Sequence, residues 1–81
     1  MEIIHKLSLH IIVYLIFTYL YTTLSDSDFI TNGSISKEYN RYYYSAITHT
    51  TIGYGDISPK STKCKLITMA HAFTVLVLWT L

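Results

Sequence analysis

Two long apolar runs bracket a polar middle. From Leu7 to Leu24 the chain reads LSLHIIVYLIFTYLYTTL, and from Leu66 to Leu81 it reads LITMAHAFTVLVLWTL, both without Asp, Glu, Lys or Arg. Both runs are apolar on all faces, so neither helix has a polar side to turn to water. A helix that crosses a bilayer needs about 20 predominantly apolar residues, within a range of about 17–25. The first run meets this as it stands, and an outer span is expected over residues 7–24. The second meets it if its helix begins near Ser61 or Thr62, giving an inner span over residues 61–81 whose Lys63 and Lys65 extend to the headgroups. Two buried helices of a soluble bundle are the alternative, but nothing else in the chain is large enough to cover them. The first run is not a secretory signal, because no small-residue cleavage pattern precedes the polar Ser25, Asp26 and Ser27.

Residues 25–36, SDSDFITNGSIS, are rich in Ser, Asp, Asn and Gly and read as a solvated extracellular loop. Asn32-Gly33-Ser34 within it is a glycosylation sequon, a triplet common by chance. Ser36 is placed to cap a helix over residues 37–49, with Glu38 at the positive end of its dipole. A dozen helical residues reach about 18 Å, half a membrane. Pro59 is expected to pre-set the first turn of the second apolar helix. The order is therefore helix, loop, half-length helix, irregular stretch, helix: one domain over residues 1–81 with a re-entrant segment. Irregular backbone at membrane depth is tolerated only where it is buried in protein or lines a water-filled cavity.

Composition narrows the classes. Hydrophobic residues make up 51% of the 81 and charged residues 14%, well below the roughly 25% of soluble domains. A net charge of +1 gives no basic patch for nucleic acid. Cys64 is the only cysteine, which excludes an internal disulfide, and it is expected to be free and inert. His5 and His10 have no matching metal ligands, and His49 is expected to pack behind the stretch that follows it. His71 lies within a span, where either a neutral hydrogen-bonded role or a proton-sensitive one is open.

The irregular stretch, THTTIGYGD at residues 48–56, carries the chemistry. A phosphate loop needs N–H groups and usually a Lys after the last glycine, whereas here Asp56 follows. A dinucleotide fingerprint needs a further glycine where Ser58 stands. Gly53 and Gly55 alternate with Ile52 and Tyr54, and glycine alone takes positive φ at no cost. Backbone of alternating hand turns successive carbonyls to one side. The carbonyls of Thr51, Ile52, Gly53 and Tyr54 then form a column that attracts a bare cation, with the Thr51 hydroxyl as its lowest oxygen. One chain supplies one side of each cage, and four chains around an axis supply rings.

Thr48 to Asp56 resembles the potassium-channel signature T-x-x-T-x-G-Y-G-D, here preceded by a half-helix and flanked by two apolar runs. The chain as a whole resembles the miniature potassium channels of algal viruses, also in THTT and in the AH of the second run. The resemblance implies an all-α membrane protein, with two transmembrane helices, a re-entrant pore helix and a selectivity filter, assembled as a homotetramer in the lipid bilayer. It implies potassium-selective conduction, with no catalysed chemistry and no cofactor beyond permeant K⁺. Thr51, Ile52, Gly53, Tyr54 and Gly55 would form the filter, with K⁺ at the first four. Tyr43, Tyr44, Thr48, Thr50 and Asp56 would support it, Tyr43 reaching Asp56, and Tyr44 or Thr48 reaching Tyr54. Tyr42 would belong to an interfacial aromatic belt. Ba²⁺, of similar size to K⁺ and twice its charge, would block at the Thr51 ring.

Three features depart from the resemblance. Ile47 stands where some relatives pair a glutamate with the filter aspartate. Residues 64–81 hold no glycine or proline to hinge a bundle-crossing gate, and with the chain ending at Leu81 no cytoplasmic extension is expected to carry one. Lys37, Arg41, Lys60 and Lys63 lie in the connecting segment against Lys6 at the amino end, so the positive-inside rule alone would place the filter mouth in the cytoplasm. The family orientation, with the mouth outside, is preferred because the same segment carries Asp26, Asp28, Glu38 and Asp56. The membrane would be that of a host cell or the internal membrane of a virion. A small protein that modulates a host channel, and a non-selective viral pore, are the competing readings.

Overall fold

The computed structural model describes residues 2–31, 38–53 and 56–81. Helix α1 spans Ile3–Thr22, α2 spans Glu38–His49 and α3 spans Thr62–Thr80. A short 3-10 turn, Asp26–Asp28, leads into strand β1, Phe29–Thr31, which pairs antiparallel with β2, Ile57–Pro59. In the register, Phe29 faces Pro59 and Thr31 faces Ile57. The Ser36 cap, the Lys37 start of the half-helix and the Asn32 sequon lie outside the described residues.

This small sheet corrects three expectations. The chain is not purely helical. The segment after Leu24 is partly ordered, because the 3-10 turn is closed by its own side chains: the Ser25 N–H donates to Asp28 Oδ2 at 2.9 Å. Pro59 is not the first turn of α3 but the last residue of β2. As expected, the helix starts from Ser61, whose hydroxyl accepts the Cys64 N–H at 3.0 Å. Helix α1 also begins four residues earlier than the apolar run, and takes in His5 and Lys6.

Asp28 fastens the outer end of α1 to the start of α3. Its carbonyl accepts the N–H groups of Lys60, at 2.7 Å, and Ser61, at 3.2 Å. Its carboxylate accepts the Ser61 hydroxyl and, from Ser25, the N–H and hydroxyl, which hold it below the ordinary carboxyl range. A lowered folded-state pKa adds stability that is complete above about pH 4 and lost as pH falls through the folded value. Unfolding midpoints across pH 2–6 should therefore decline more gently in Asp28→Asn than in the parent chain. Parallel declines would remove Asp28 from the acid response.

The core of this end is aromatic. Tyr21, Leu24, Phe29, Tyr44, Ile57 and Cys64 are buried together. Tyr44 meets the rings of Tyr21, at 4.9 Å, and Phe29, at 5.2 Å, nearly edge-on, the geometry that ring quadrupoles favour. Arg41 is 7% exposed; its guanidinium donates to the Leu24 carbonyl at 3.1 Å and to Asp26 at 3.2 Å, and it lies over the Phe29 ring at 4.7 Å.

Elsewhere the bundle is polar inside and apolar outside. Helix α1 buries His10, Thr18 and Tyr21 while Leu7, Ile11, Ile12 and Leu15 are each more than half exposed. Helix α3 buries Cys64, His71, Val75 and Leu78 and exposes Leu66, Phe73, Leu76 and Trp79. Water penalises such an arrangement; a hydrocarbon surrounding favours it, because polar groups there find partners only in each other. Among the described residues, α1 is the one helix long and apolar enough by length and composition to cross a membrane. Helix α3, 19 residues long, falls short of that measure; Lys63 and Lys65 in its first turn and His71 at its centre lower its mean hydropathy.

Candidate functional site

Helix α2 ends at His49 and the backbone then turns back on it. The N–H groups of Thr50, Thr51 and Gly53 donate to the carbonyls of Ala46, Thr48 and Ile47 at 3.0, 3.1 and 3.1 Å. These bonds satisfy the last carbonyls of the helix, which have no partner within it. They also fix the polarity of the stretch, whose donors are used against the helix. Among the described residues, no donor meets the carbonyls of Thr51, Ile52 or Gly53. Thr50, Thr51, Ile52, Gly53 and Asp56 are all exposed on the single chain. Tyr54 and Gly55 lie outside the described residues.

Gly53 has a φ of +58°, in the left-handed region where a Cβ is costly. Thr51 also lies there, with a φ of +64°, which corrects the expectation that only the glycines take this hand. A β-branched residue in that region is an outlier, and such strain persists only where the surroundings enforce it. Two constraints are visible here: the Thr51 N–H is tied to Thr48, and its hydroxyl donates to the Thr50 carbonyl at 2.6 Å.

Two tyrosines of α2 tie it to different parts of the chain. Tyr43 donates to Asp56 Oδ2 at 2.7 Å, joining the helix to the segment beyond the glycines. Ile47, buried among apolar neighbours, makes no such bond. The Tyr44 hydroxyl lies 2.8 Å from Thr68 Oγ1 on α3, so within the described residues it links the half-helix to the second long helix. A cavity of about 290 Å³ opens beside the stretch, lined among others by Tyr44, Thr48, Thr51, Gly53 and Thr68.

Sequence reasoning missed what holds the three helices together. His10 Nδ1 lies 3.0 Å from His49 Nε2, His49 Nδ1 lies 3.0 Å from His71 Nε2, and His71 Nδ1 lies 2.9 Å from the Tyr21 hydroxyl. His49, the last residue of the half-helix, thus bonds to both long helices and does more than pack. The Phe17 ring lies parallel to the His71 ring at 4.3 Å. A signal was present: His10, Tyr14, Thr18 and Tyr21 recur at three- and four-residue spacing along one face of an otherwise apolar helix. Among the described residues, no group of three or more His, Cys, Asp or Glu is arranged to hold a metal.

A family model described as ion channel matches residues 9–81, nearly the whole chain. The potassium channel protein kcv of Paramecium bursaria Chlorella virus 1 is 54% identical over 33 residues, which cover 41% of this chain and 35% of that protein. The match thus spans about a third of the relative's length. No solved structure matches.

Proposed function

The chain belongs to the ion channel family, and on that premise we propose that it forms a potassium-selective pore in which four copies surround one axis. It is a membrane protein by that membership. The observation that carries the finer reading is the polarity of residues 50–53: the N–H groups of Thr50, Thr51 and Gly53 are spent on α2, and among the described residues the carbonyls of Thr51, Ile52 and Gly53 meet no donor. Rings of such carbonyls replace an ion's hydration shell, and ions held at adjacent sites displace one another along the axis. Thr51, Ile52, Gly53, Tyr54 and Gly55 form this filter, supported from behind by Tyr43, Tyr44, Thr48, Thr50 and Asp56. Helix α2 is the re-entrant pore helix and α3 the inner span. The exposed apolar faces of α1 and α3 support this arrangement, since lipid and neighbouring copies would cover them.

Current through a planar bilayer holding purified chain and unequal K⁺ and Na⁺ tests the reading. A reversal potential near that of K⁺ supports it. Current without preference points to a non-selective pore, and absence of current to a protein that modulates another channel.

Ba²⁺ provides a test at one ring. With twice the charge of K⁺, it is held more tightly by the same oxygens. Thr51→Ala removes the lowest hydroxyl and is expected to weaken Ba²⁺ block, whereas Thr51→Ser keeps the hydroxyl and the block. Equal block in all three chains would reject Thr51 as the barium site.

A further inference from the structure

Three imidazoles and a phenol form an unbroken file through the bundle, from His10 through His49 and His71 to Tyr21, with every link at 3.0 Å or less. Along α1 the file advances from residue 10 to residue 21, about 16 Å at 1.5 Å per residue. Beyond Tyr21, whose ring meets that of Tyr44 at 4.9 Å, the Tyr44 hydroxyl lies 2.8 Å from Thr68 Oγ1. Each end lies beside a cavity. His10 and His49 line one of about 200 Å³; Tyr44 and Thr68 line the other, of about 290 Å³.

The His10 end is unpartnered. His10 is 8% exposed, and its Nε2 is buried without a hydrogen-bond partner among the described residues. One turn earlier on α1, the Lys6 amine donates to the Trp79 carbonyl at 3.0 Å, and the Trp79 ring lies 4.6 Å from that of His10. Lys and Trp are residues of the membrane–water boundary, so the unpartnered nitrogen sits about one turn inside that level. Tyr21 lies in the last turn of α1, at the opposite boundary.

A neutral imidazole has one donor and one acceptor. Three of them in file must therefore all point the same way. We propose that this file is a proton relay, carrying protons between the two cavities through the interior of the bundle, the second cavity lying beside the filter stretch.

The two directions of the file differ by the passage of one proton. In the first, His10 Nε2 is bare, the Nδ1–H groups of His10, His49 and His71 each donate onward, and the Tyr21 O–H points away from the file. A proton from water binds His10 Nε2 as the Nδ1 proton of His10 moves to His49 Nε2. The Nδ1 proton of His49 moves to His71 Nε2, and that of His71 to the Tyr21 oxygen. Tyr21 releases its own proton toward the second cavity, beside which Tyr44 and Thr68 lie. One proton has been taken up and one released, and each imidazole has exchanged tautomers. Turning of the rings, or passage of a proton the other way, restores the first direction.

The groups around the file suit this role. Lys6 stands near the His10 end, Tyr14 packs edge-on to His49, and Tyr44 and Cys64 flank Tyr21. No carboxylate is among these neighbours to trap the proton as a fixed ion pair. Packing alone gives no reason to bury an unpartnered nitrogen, which costs free energy. A relay requires such an acceptor at its end.

Proton uptake into vesicles tests the proposal. The full chain is reconstituted in neutral lipid with a trapped pH dye and equal K⁺ inside and out. Valinomycin holds the potential at zero, so uptake is read whether or not the chain conducts K⁺, and thallium flux reports the channel separately. After external acidification, vesicles with the parent chain are expected to acidify several-fold faster than protein-free vesicles. His10→Gln, at the unpartnered end, and the near-isosteric Tyr21→Phe, at the far end, are expected to return uptake to the protein-free rate while circular dichroism shows intact helices. Parent uptake no faster than lipid alone overturns the proposal, and so does undiminished uptake in a folded variant. If His10→Gln does not fold, Tyr21→Phe decides by the same criterion.

Discussion

Replacing Gly53 with alanine is expected to abolish potassium-selective current. At a φ of +58°, nothing lies within 4 Å of the Cβ that the substitution would add. The loss would therefore come from conformation and not from a clash. An L-residue in the left-handed region costs roughly 1–2 kcal/mol, and four copies around one axis would bear it together. Thr51, at +64°, already strains the same short segment, so a second strained residue two positions on would favour release of the backbone from α2. The carbonyls would then leave their column. Reversal potentials under unequal K⁺ and Na⁺ measure the effect, with tetramer assembly checked on a gel. The chain is short enough for chemical synthesis, and D-alanine at position 53 accepts positive φ. Selectivity should fall with L-alanine and return with D-alanine. An L-alanine channel with the parent's K⁺ preference would refute the assignment of Gly53 to the filter.

Arg41→Gln is expected to lower the folding stability of the chain by about 2 kcal/mol, because hydrogen bonds to charged groups are each worth about 1.5–3 kcal/mol and the cation over an aromatic ring adds to them. Arg41 closes the end of α1 by donating to the Leu24 carbonyl, and it holds Asp26 and the Phe29 ring beneath the same guanidinium. The Asp26 pair is partly exposed and contributes little by itself; the carbonyl bond and the ring contact carry the effect. Reversible unfolding in detergent, followed by circular dichroism, measures it. A stability equal to the parent's would show that water replaces the guanidinium at no cost.

The proposed filter was read from local features: glycine at positions 53 and 55 permits either backbone hand, and Asp56 sets the charge that follows. The helices were legible too, since continuous apolar runs and a capped polar segment set their approximate extents. The helix start near Ser61 was read correctly, but Pro59 was misassigned to its first turn, because a proline suits either a helix start or a strand end. Only the pairing of β2 with β1, from a distant part of the chain, selects between them.

What the amino-acid order determined by itself was the inventory: two apolar helices, a half-helix between them, and a glycine-alternating stretch after the half-helix. The tertiary structure decided what those elements hold in common. His10, His49 and His71 are far apart in sequence, and no spacing rule relates them. Their alignment arises only when α1, α2 and α3 pack with their few polar residues turned inward. The strain at Thr51 is likewise a property of packing, imposed by bonds back to α2 and absent from the residue's own preference. Local chemistry is written in the residue types, but a chain of hydrogen bonds through three helices depends on distances that only the folded backbone sets.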